Sequence, residues 1–315
     1  MTNEQIFNKM HKRRSRHVRS PDNLGPIRLT GRDLEILLAV GDYRILSTSQ
    51  IKRLFFRSIH KARKRLFKLW QHRLLDRRFQ PVRIGESQPE TLYVLSRQGA
   101  RMVALRGGLL GEAGRLTPFE RQGSSLFLDH TLARNDVRIA LQTAVRHEAG
   151  RHMEWRQDKG ITGVVNVITG TASPRLQRIA LIADGRFLLK LGNCSRLFYL
   201  EVDRGTISLS RWRTRATAYS VLLRRMQRSL GDTPFLVLVT TPSEIRARHI
   251  GEVVSSVSQN GHPLFFFAPQ RLFAETSEDL IAASIWGSYG REATKAQELE
   301  SLEKLTGGKP AARRP

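Results

Sequence analysis

The sequence predicts a mixed α/β protein in two parts: a small basic head of helices closing on a β-hairpin, and a larger body in which strands alternate with helices. Three observations predict it. Apolar residues recur at helical spacing through residues 30–70, then give way to two short runs around a Gly85–Pro89 turn. A glycine-rich stretch interrupted by Pro118, residues 107–123, reads as a linker. Beyond it, strand-length apolar runs such as Phe235–Val239 and Leu264–Ala268 alternate with helix-length periodic segments, which implies a mixed sheet with helical cover. A length of 315 residues fits two domains, each able to bury a core.

Residues 1–29 read as a basic, disordered tail, with Lys12, Arg13, Arg14, Arg16 and Arg19 ahead of Pro21. Such an arm suits a phosphate backbone or simple solubility. The head, residues 30–106, opens at Thr30, which with Asp33 makes a capping-box start. Leu34, Ile36, Leu37, Leu38 and Val40 follow at helical spacing up to Gly41-Asp42. Ser47-Thr48-Ser49 offers a second N-cap before Ile51, Leu54 and Phe55, and Ser58 a third before a helix reaching Trp70. In the third helix Ile59, Ala62, Leu66, Leu69 and Trp70 make the apolar side, and Lys61, Arg63, Lys64, Arg65 and Lys68 the other. Phe79–Ile84 and Thr91–Leu95 flank the hairpin turn, and Ser96–Leu105 is a further helix.

The body, residues 124–290, begins with a long helix over Phe127–Arg146. Strands are expected near 152–157, 177–183 and Phe198–Asp203, then a helix over Ser210–Ser229 and a strand over Phe235–Thr240. A helix over Ser243–Ser258 and a strand over Leu264–Phe267 follow. Residues 291–315 read as a charged C-terminal tail. No internal repeat is visible.

The charge narrows the partners. Lys and Arg number 53 against 28 acids, a formal charge of +25. Self-repulsion of that size is offset by a polyanion, and neutralised phosphates release counterions. No apolar run approaches twenty residues and no signal peptide opens the chain, so a cytoplasmic protein away from membranes is expected. The single cysteine, Cys194, excludes an internal disulfide and a multi-cysteine zinc site. Serine–histidine–aspartate spacing, a phosphate loop and a dinucleotide fingerprint are absent. His130 and Asn135 stand five apart on the long helix and suggest capping or packing rather than catalysis.

Three helices followed by a hairpin are the arrangement of a winged helix-turn-helix, whose third helix suits the major groove of double-stranded DNA. Between Tyr43 and Arg83 thirteen Lys or Arg face one acid, Asp76. Lys61, Arg63, Lys64, Arg65 and Lys68 are therefore candidate DNA-binding residues on the helix, and Arg77, Arg78 and Arg83 on the hairpin. Most would touch phosphates, which position without specifying sequence.

A second constellation is acidic. Glu201 and Asp203 lie two apart on one strand and share a face, and Asp184 joins them if its strand is adjacent. Carboxylates held together call for a cation or a proton. Asp184, Glu201 and Asp203 are thus candidate catalytic residues, with Asp184 and Glu201 as ligands for Mg²⁺ or Mn²⁺. The alternative is exposed or internally paired acids.

At this point the chain resembles the replication-relaxation family of plasmid and integrative-element proteins. The resemblance rests on Leu29-Thr30-Gly31-Arg32-Asp33, on Leu128 to Val137, on Ala183-Asp184-Gly185 and on Leu200-Glu201-Val202-Asp203-Arg204-Gly205-Thr206. Tyr219 stands where the family places a tyrosine. The resemblance implies roles in plasmid replication, DNA relaxation and conjugative mobilisation. It also implies a restriction-endonuclease-like second domain of the PD-(D/E)XK nuclease class, with Asp184 and Glu201 on its two acids. This sequence departs at the lysine position, which holds Asp203, and Ala183 replaces the proline. An acid cannot supply the lysine's positive charge. Lys190 and Arg204 are candidates to replace it in space.

An acid-free stretch between Asp203 and Asp232 carries Arg204, Arg211, Arg213, Arg215, Arg224, Arg225 and Arg228, a second candidate phosphate-binding surface. The expected function is a DNA-binding accessory protein of mobile-element replication or mobilisation, with a relaxase or replication initiator as partner and a homodimer as one possible state. Alternatives are a metal-dependent endonuclease or nickase using Asp184, Glu201 and Asp203, and a transcription regulator.

Overall fold

The computed structural model describes residues 18–19, 25–80, 90–106, 125–156, 163–169, 175–230, 234–257, 263–275, 279–289 and 299–307. Arg83, the Gly85–Pro89 turn, the 107–123 linker and most of both expected tails lie outside the described residues. The chain divides into two compact units, Met1–Leu132 and Ala133–Pro315. The division therefore falls inside the long helix rather than at the glycine-rich stretch.

The first unit runs α1 (Gly31–Tyr43), β1 (Leu46–Ser47), α2 (Thr48–Phe55), α3 (Ile59–Gln71), β2 (Leu75–Arg78), β3 (Leu92–Leu95) and α4 (Arg97–Arg106). The expected caps fix the helix starts. Asp33 Oδ2 accepts from the Thr30 backbone at 2.6 Å and from its hydroxyl at 2.7 Å. Ser47 and Gln50 bond reciprocally, the Gln50 amide to Ser47 Oγ at 3.2 Å and the Ser47 amide to Gln50 Oε1 at 3.1 Å. Arg44, at φ 69°, ends α1 two residues beyond the expected Gly41-Asp42 stop. Apolar faces of the three helices supply a core of Ile36, Leu37, Val40, Ile51, Ala62, Leu66 and Leu69. A three-stranded antiparallel sheet, order β1-β3-β2, closes it. The start of helix α5 (Ser125–Arg146) belongs to this unit: Leu128 and Leu132 pack on Ile45, Leu92 and Val94.

The second unit holds the rest of α5, then β4 (Arg151–Arg156), β5 (Gly163–Thr169), β6 (Arg175–Leu181), β7 (Gly185–Leu191), β8 (Cys194–Val202) and α6 (Leu209–Leu230). It continues with β9 (Phe235–Thr241), α7 (Glu244–Ser255), β10 (Phe265–Pro269), α8 (Arg271–Glu275) and α9 (Leu302–Thr306). The main sheet has the order β10-β9-β8-β7-β4, antiparallel from β4 through β8 and parallel from β8 to β10. Both faces are covered. Phe198, Leu200 and Val202 point into a core with α5, α8 and α9. Tyr199 points the other way, into a core with α6 and α7. This alternation is the period of a strand. The whole is a mixed α/β fold.

Two strand expectations are corrected. The run near 177–183 is not the neighbour of β8: β6 pairs with β5 in a separate two-stranded sheet whose Val165, Val167 and Leu181 pack on α6. The neighbour is β7, so Asp184 precedes the partner strand instead of ending one. Part of the expected C-terminal tail is also structural. Leu302 and Leu305 are buried, and Glu303 accepts from Arg151 at 2.8 Å. Arg151, 5% exposed, also meets Asp279 and Glu148 at 2.5 Å each. Cys194 is half-buried and donates to the Gly307 carbonyl at 3.3 Å.

Candidate nucleic-acid interface and the buried acids

Helix α3 separates its two faces as its sequence requires. Ala62, Leu66, Leu69 and Trp70 are buried, while Lys61, Arg63, Lys64 and Lys68 are exposed. At about 100° per residue Lys61, Lys64 and Lys68 share one side of the helix, and Arg63 stands about 100° round from Lys64. Arg65, expected with them, is turned inward. Its Nε donates to Asp33 Oδ1 at 2.6 Å, its Nη2 to Asp33 Oδ2 and to the Arg28 carbonyl at 2.9 Å. Burial alone would raise the Asp33 carboxyl, but the hydrogen bonds from Arg65 and Thr30 outweigh it and hold the group below its ordinary value. Arg65 thus pins the start of α1 to α3.

The hairpin cations also differ from expectation. Arg77 sits against three aromatic rings, its guanidinium carbon 4.1 Å from the Trp70 centroid, 5.2 Å from Phe67 and 5.7 Å from Tyr93. That is a cation–π contact. Arg78 is half-buried and donates to the Arg77 carbonyl at 3.0 Å. Arg19 of the basic tail is anchored, with Nη2 at 2.5 Å from Asp76 and Nε at 2.9 Å from the Trp70 carbonyl. Arg19, Arg77 and Arg78 are thus each partly buried against the head itself, whereas Lys61, Arg63, Lys64 and Lys68 of α3 are exposed.

In the second unit Glu201 and Asp203 do share a face, but each is closed off by a guanidinium. Glu201, 2% exposed, receives Arg215 Nε at 2.8 Å on Oε1 and Arg215 Nη2 at 2.8 Å on Oε2. The Tyr219 hydroxyl donates to the same Oε1 at 2.5 Å. Asp203, fully buried, receives Arg246 Nε at 2.7 Å and Nη2 at 3.1 Å, Trp212 Nε1 at 3.3 Å and the Gly205 amide at 3.1 Å. Asp184 Oδ2 accepts from the Val202 amide at 2.7 Å, clamping the start of β7 to the end of β8. Burial pushes the Glu201 carboxyl up to about 7 against Arg215, and the nearby Asp184 adds to the rise. Burial and Glu201 together hold the Tyr219 phenol well above its ordinary value, so it stays a donor.

This donor set does not fit a magnesium or manganese ion. Both oxygens of Glu201 and of Asp203 are spent on guanidiniums, whose charge excludes a second cation. Among the described residues no group of three or more His, Cys, Asp and Glu is placed to hold a metal. Neither replacement for the missing lysine takes its place. Lys190 is exposed at the far end of β7, five residues past Gly185 or roughly 16 Å at strand rise. Arg204 is exposed and reaches Gln270 at 3.4 Å.

Arg211 and Arg213 remain exposed at the start of α6, with Arg224, Arg225 and Arg228 further along. Arg215 is withdrawn from that surface by Glu201. Sequence reasoning missed Arg246 and Trp212 as partners of Asp203. Arg246 is 43 positions away on another helix, and no local spacing signals it. Tyr219 was singled out, and its role is now visible as the hydroxyl on Glu201.

The fold and site define a two-unit mixed α/β protein with an exposed cationic helix and a sheet carrying arginine-paired acids. The replication-relaxation family model matches residues 37–236, more than half of the chain, and the protein belongs to that family. No curated protein and no solved structure matches it. Membership supports a role in the replication or mobilisation of mobile elements. Among the described residues no helix is long and apolar enough to cross a membrane.

Proposed function

We propose that the protein is a DNA-binding accessory factor of mobile-element replication or mobilisation, that its first unit is a winged helix-turn-helix, and that its second is a nuclease-like scaffold without nuclease chemistry. The single observation that carries this reading is α3 itself, where Lys61, Arg63, Lys64 and Lys68 stand exposed while Arg65 is held on Asp33 and Arg77 on Trp70. The order helix, strand, helix, helix, hairpin supports the winged helix, with α3 in the major groove. The meander β4-β7-β8 followed by α6 and the parallel β9 supports the restriction-endonuclease-like reading of the second unit. Occupied carboxylates speak against the endonuclease alternative. Arg204, Arg211 and Arg213 offer phosphate contacts from the second unit, and a relaxase or replication initiator is the partner that such a factor would serve.

A gel shift with a duplex at low salt tests the binding half. The wild-type chain shifts the duplex, and reversing Lys61, Arg63 and Lys64 to Glu abolishes the shift; unchanged binding would refute the groove helix. Supercoiled plasmid with Mn²⁺ tests the other half. It stays uncut, and nicking that vanishes on Glu201→Ala would restore the enzyme reading.

A further inference from the structure

The first unit contains a pocket of about 440 Å³ lined by Arg32, Arg53, Leu54, Phe55, Phe56, Arg57 and Lys61. Four of the seven lining residues are cations and none is an acid. Three segments build it. Arg32 stands in the first turn of α1, Arg53 to Phe55 close α2, Phe56 and Arg57 follow, and Lys61 is in the first turn of α3. Arg32 lies over the Phe56 ring, 5.3 Å from its centroid.

Arg53 has an ordinary reason to be there, because the C-terminal end of a helix attracts cations. Arg32 and Lys61 have the opposite setting. Each sits at a helix N-terminus, where the macrodipole disfavours positive charge. Ser58, ahead of α3, makes no side-chain cap bond, so the first-turn amides add to the same positive potential. Arg32, Arg57 and Lys61 line one concavity, two of them placed against a dipole, a setting that favours an anion. Size and lining specify it further. The volume falls in the range of small-molecule sites and exceeds what a lone counter-ion fills. Leu54, Phe55 and Phe56 supply an apolar wall for a ring, and guanidinium and ammonium groups suit phosphoryl oxygens.

We propose that this pocket binds the phosphoryl groups of a nucleotide. The same chemistry has two sources, a free nucleoside polyphosphate or a phosphate of the DNA backbone at the edge of the α3 groove. The site stands whether or not α3 binds a duplex.

Calorimetry on the full chain in low-salt buffer tests it, with inorganic pyrophosphate, ATP and adenosine as probes. Pyrophosphate and ATP bind with one-to-one stoichiometry, and adenosine does not. Arg53→Glu with Arg57→Glu weakens both by about tenfold or more, as expected for lost charged hydrogen bonds. Arg97→Glu with Arg101→Glu makes the same change in net charge on the exposed side of α4 and changes affinity by less than about threefold, the size of a screened long-range effect. Arg57→Gln alone, at an exposed position, provides a milder variant, and its unchanged melting temperature shows that the loss is not unfolding. Absence of pyrophosphate binding overturns the proposal, and so does equal weakening by the α4 pair. In a competition arm, a duplex that displaces ATP assigns the pocket to backbone phosphate, and one that leaves ATP bound assigns it to the free nucleotide. A duplex shift that persists without any pyrophosphate binding refutes this site and leaves the α3 reading intact.

Discussion

Glu201 is pulled two ways. Burial lifts its carboxyl to about 7, while Arg215 and Tyr219 favour the charged form. A folded value above the unfolded one means that the native state binds the proton more tightly. Its stabilising contribution is therefore complete below the unfolded value of about 4.3 and is lost as pH rises through about 7. Glu201→Gln fixes the neutral form. The melting-temperature difference, wild type minus variant, should shrink from pH 5 to pH 8. A difference that grows would mean that the ionised pair with Arg215 is the favoured state. Arg65 gives a second residue-scale prediction, because its role is structural and not that of a phosphate ligand. Arg65→Lys keeps the charge but loses the bidentate grip on the buried Asp33. Breaking such a pair costs up to about 3 kcal/mol, read by urea denaturation. The dependence of duplex binding on salt should stay as it is.

At the scale of elements, what the sequence disclosed depended on whether a signal was local. Helices α1 to α3 were legible because their caps and apolar spacing lie within a few residues of each other, as with Ser47 and Gln50. The β5–β6 hairpin and β7 were not placed. Asp184 reads with the strand near 177–183, yet Gly185 opens β7 and lies close against Trp155. The available signal was Gly192-Asn193, a two-residue link between Leu191 and Cys194 with Gly192 at φ 58°, which marks a tight hairpin. The two exposed-cation faces were readable from composition, whereas the inward turn of Arg65, Arg77 and Arg215 was not. A guanidinium has the same letter whether it meets phosphate, an aromatic ring or a buried acid. Gly99 shows tertiary context overruling propensity. In an isolated helix Gly→Ala would gain up to about 1 kcal/mol. Here a Cβ on α4 would run into the Leu74 carbonyl oxygen. Gly99→Ala should instead destabilise by about 1–3 kcal/mol through overpacking, visible as a lower denaturation midpoint. A stabilised variant would show that α4 can shift away from Leu74.

For the whole molecule, the net charge of +25 sets how binding responds to salt. Total charge governs long-range attraction, but the slope of affinity against salt counts the phosphates actually neutralised, at about 0.9 per contact on B-form DNA. Charge removals on the two units can therefore be compared in the full chain. Removing Lys61, Arg63 and Lys64 by substitution with Ala should lower the slope by roughly 2.7 if each meets a phosphate. Arg211→Ala with Arg213→Ala should lower it by roughly 1.8 if α6 lies along the same duplex. Arg215→Ala, by contrast, removes a guanidinium held inward on Glu201 and should leave the slope unchanged while lowering stability. Fluorescence anisotropy across a salt series measures all three. If the α6 pair leaves the slope untouched, the second unit is not a DNA-contacting surface, and its arginine-paired sheet serves a protein partner instead. If all three variants shift it equally, overall charge rather than a defined interface governs binding, and the outward face of α3 loses its claim to the groove.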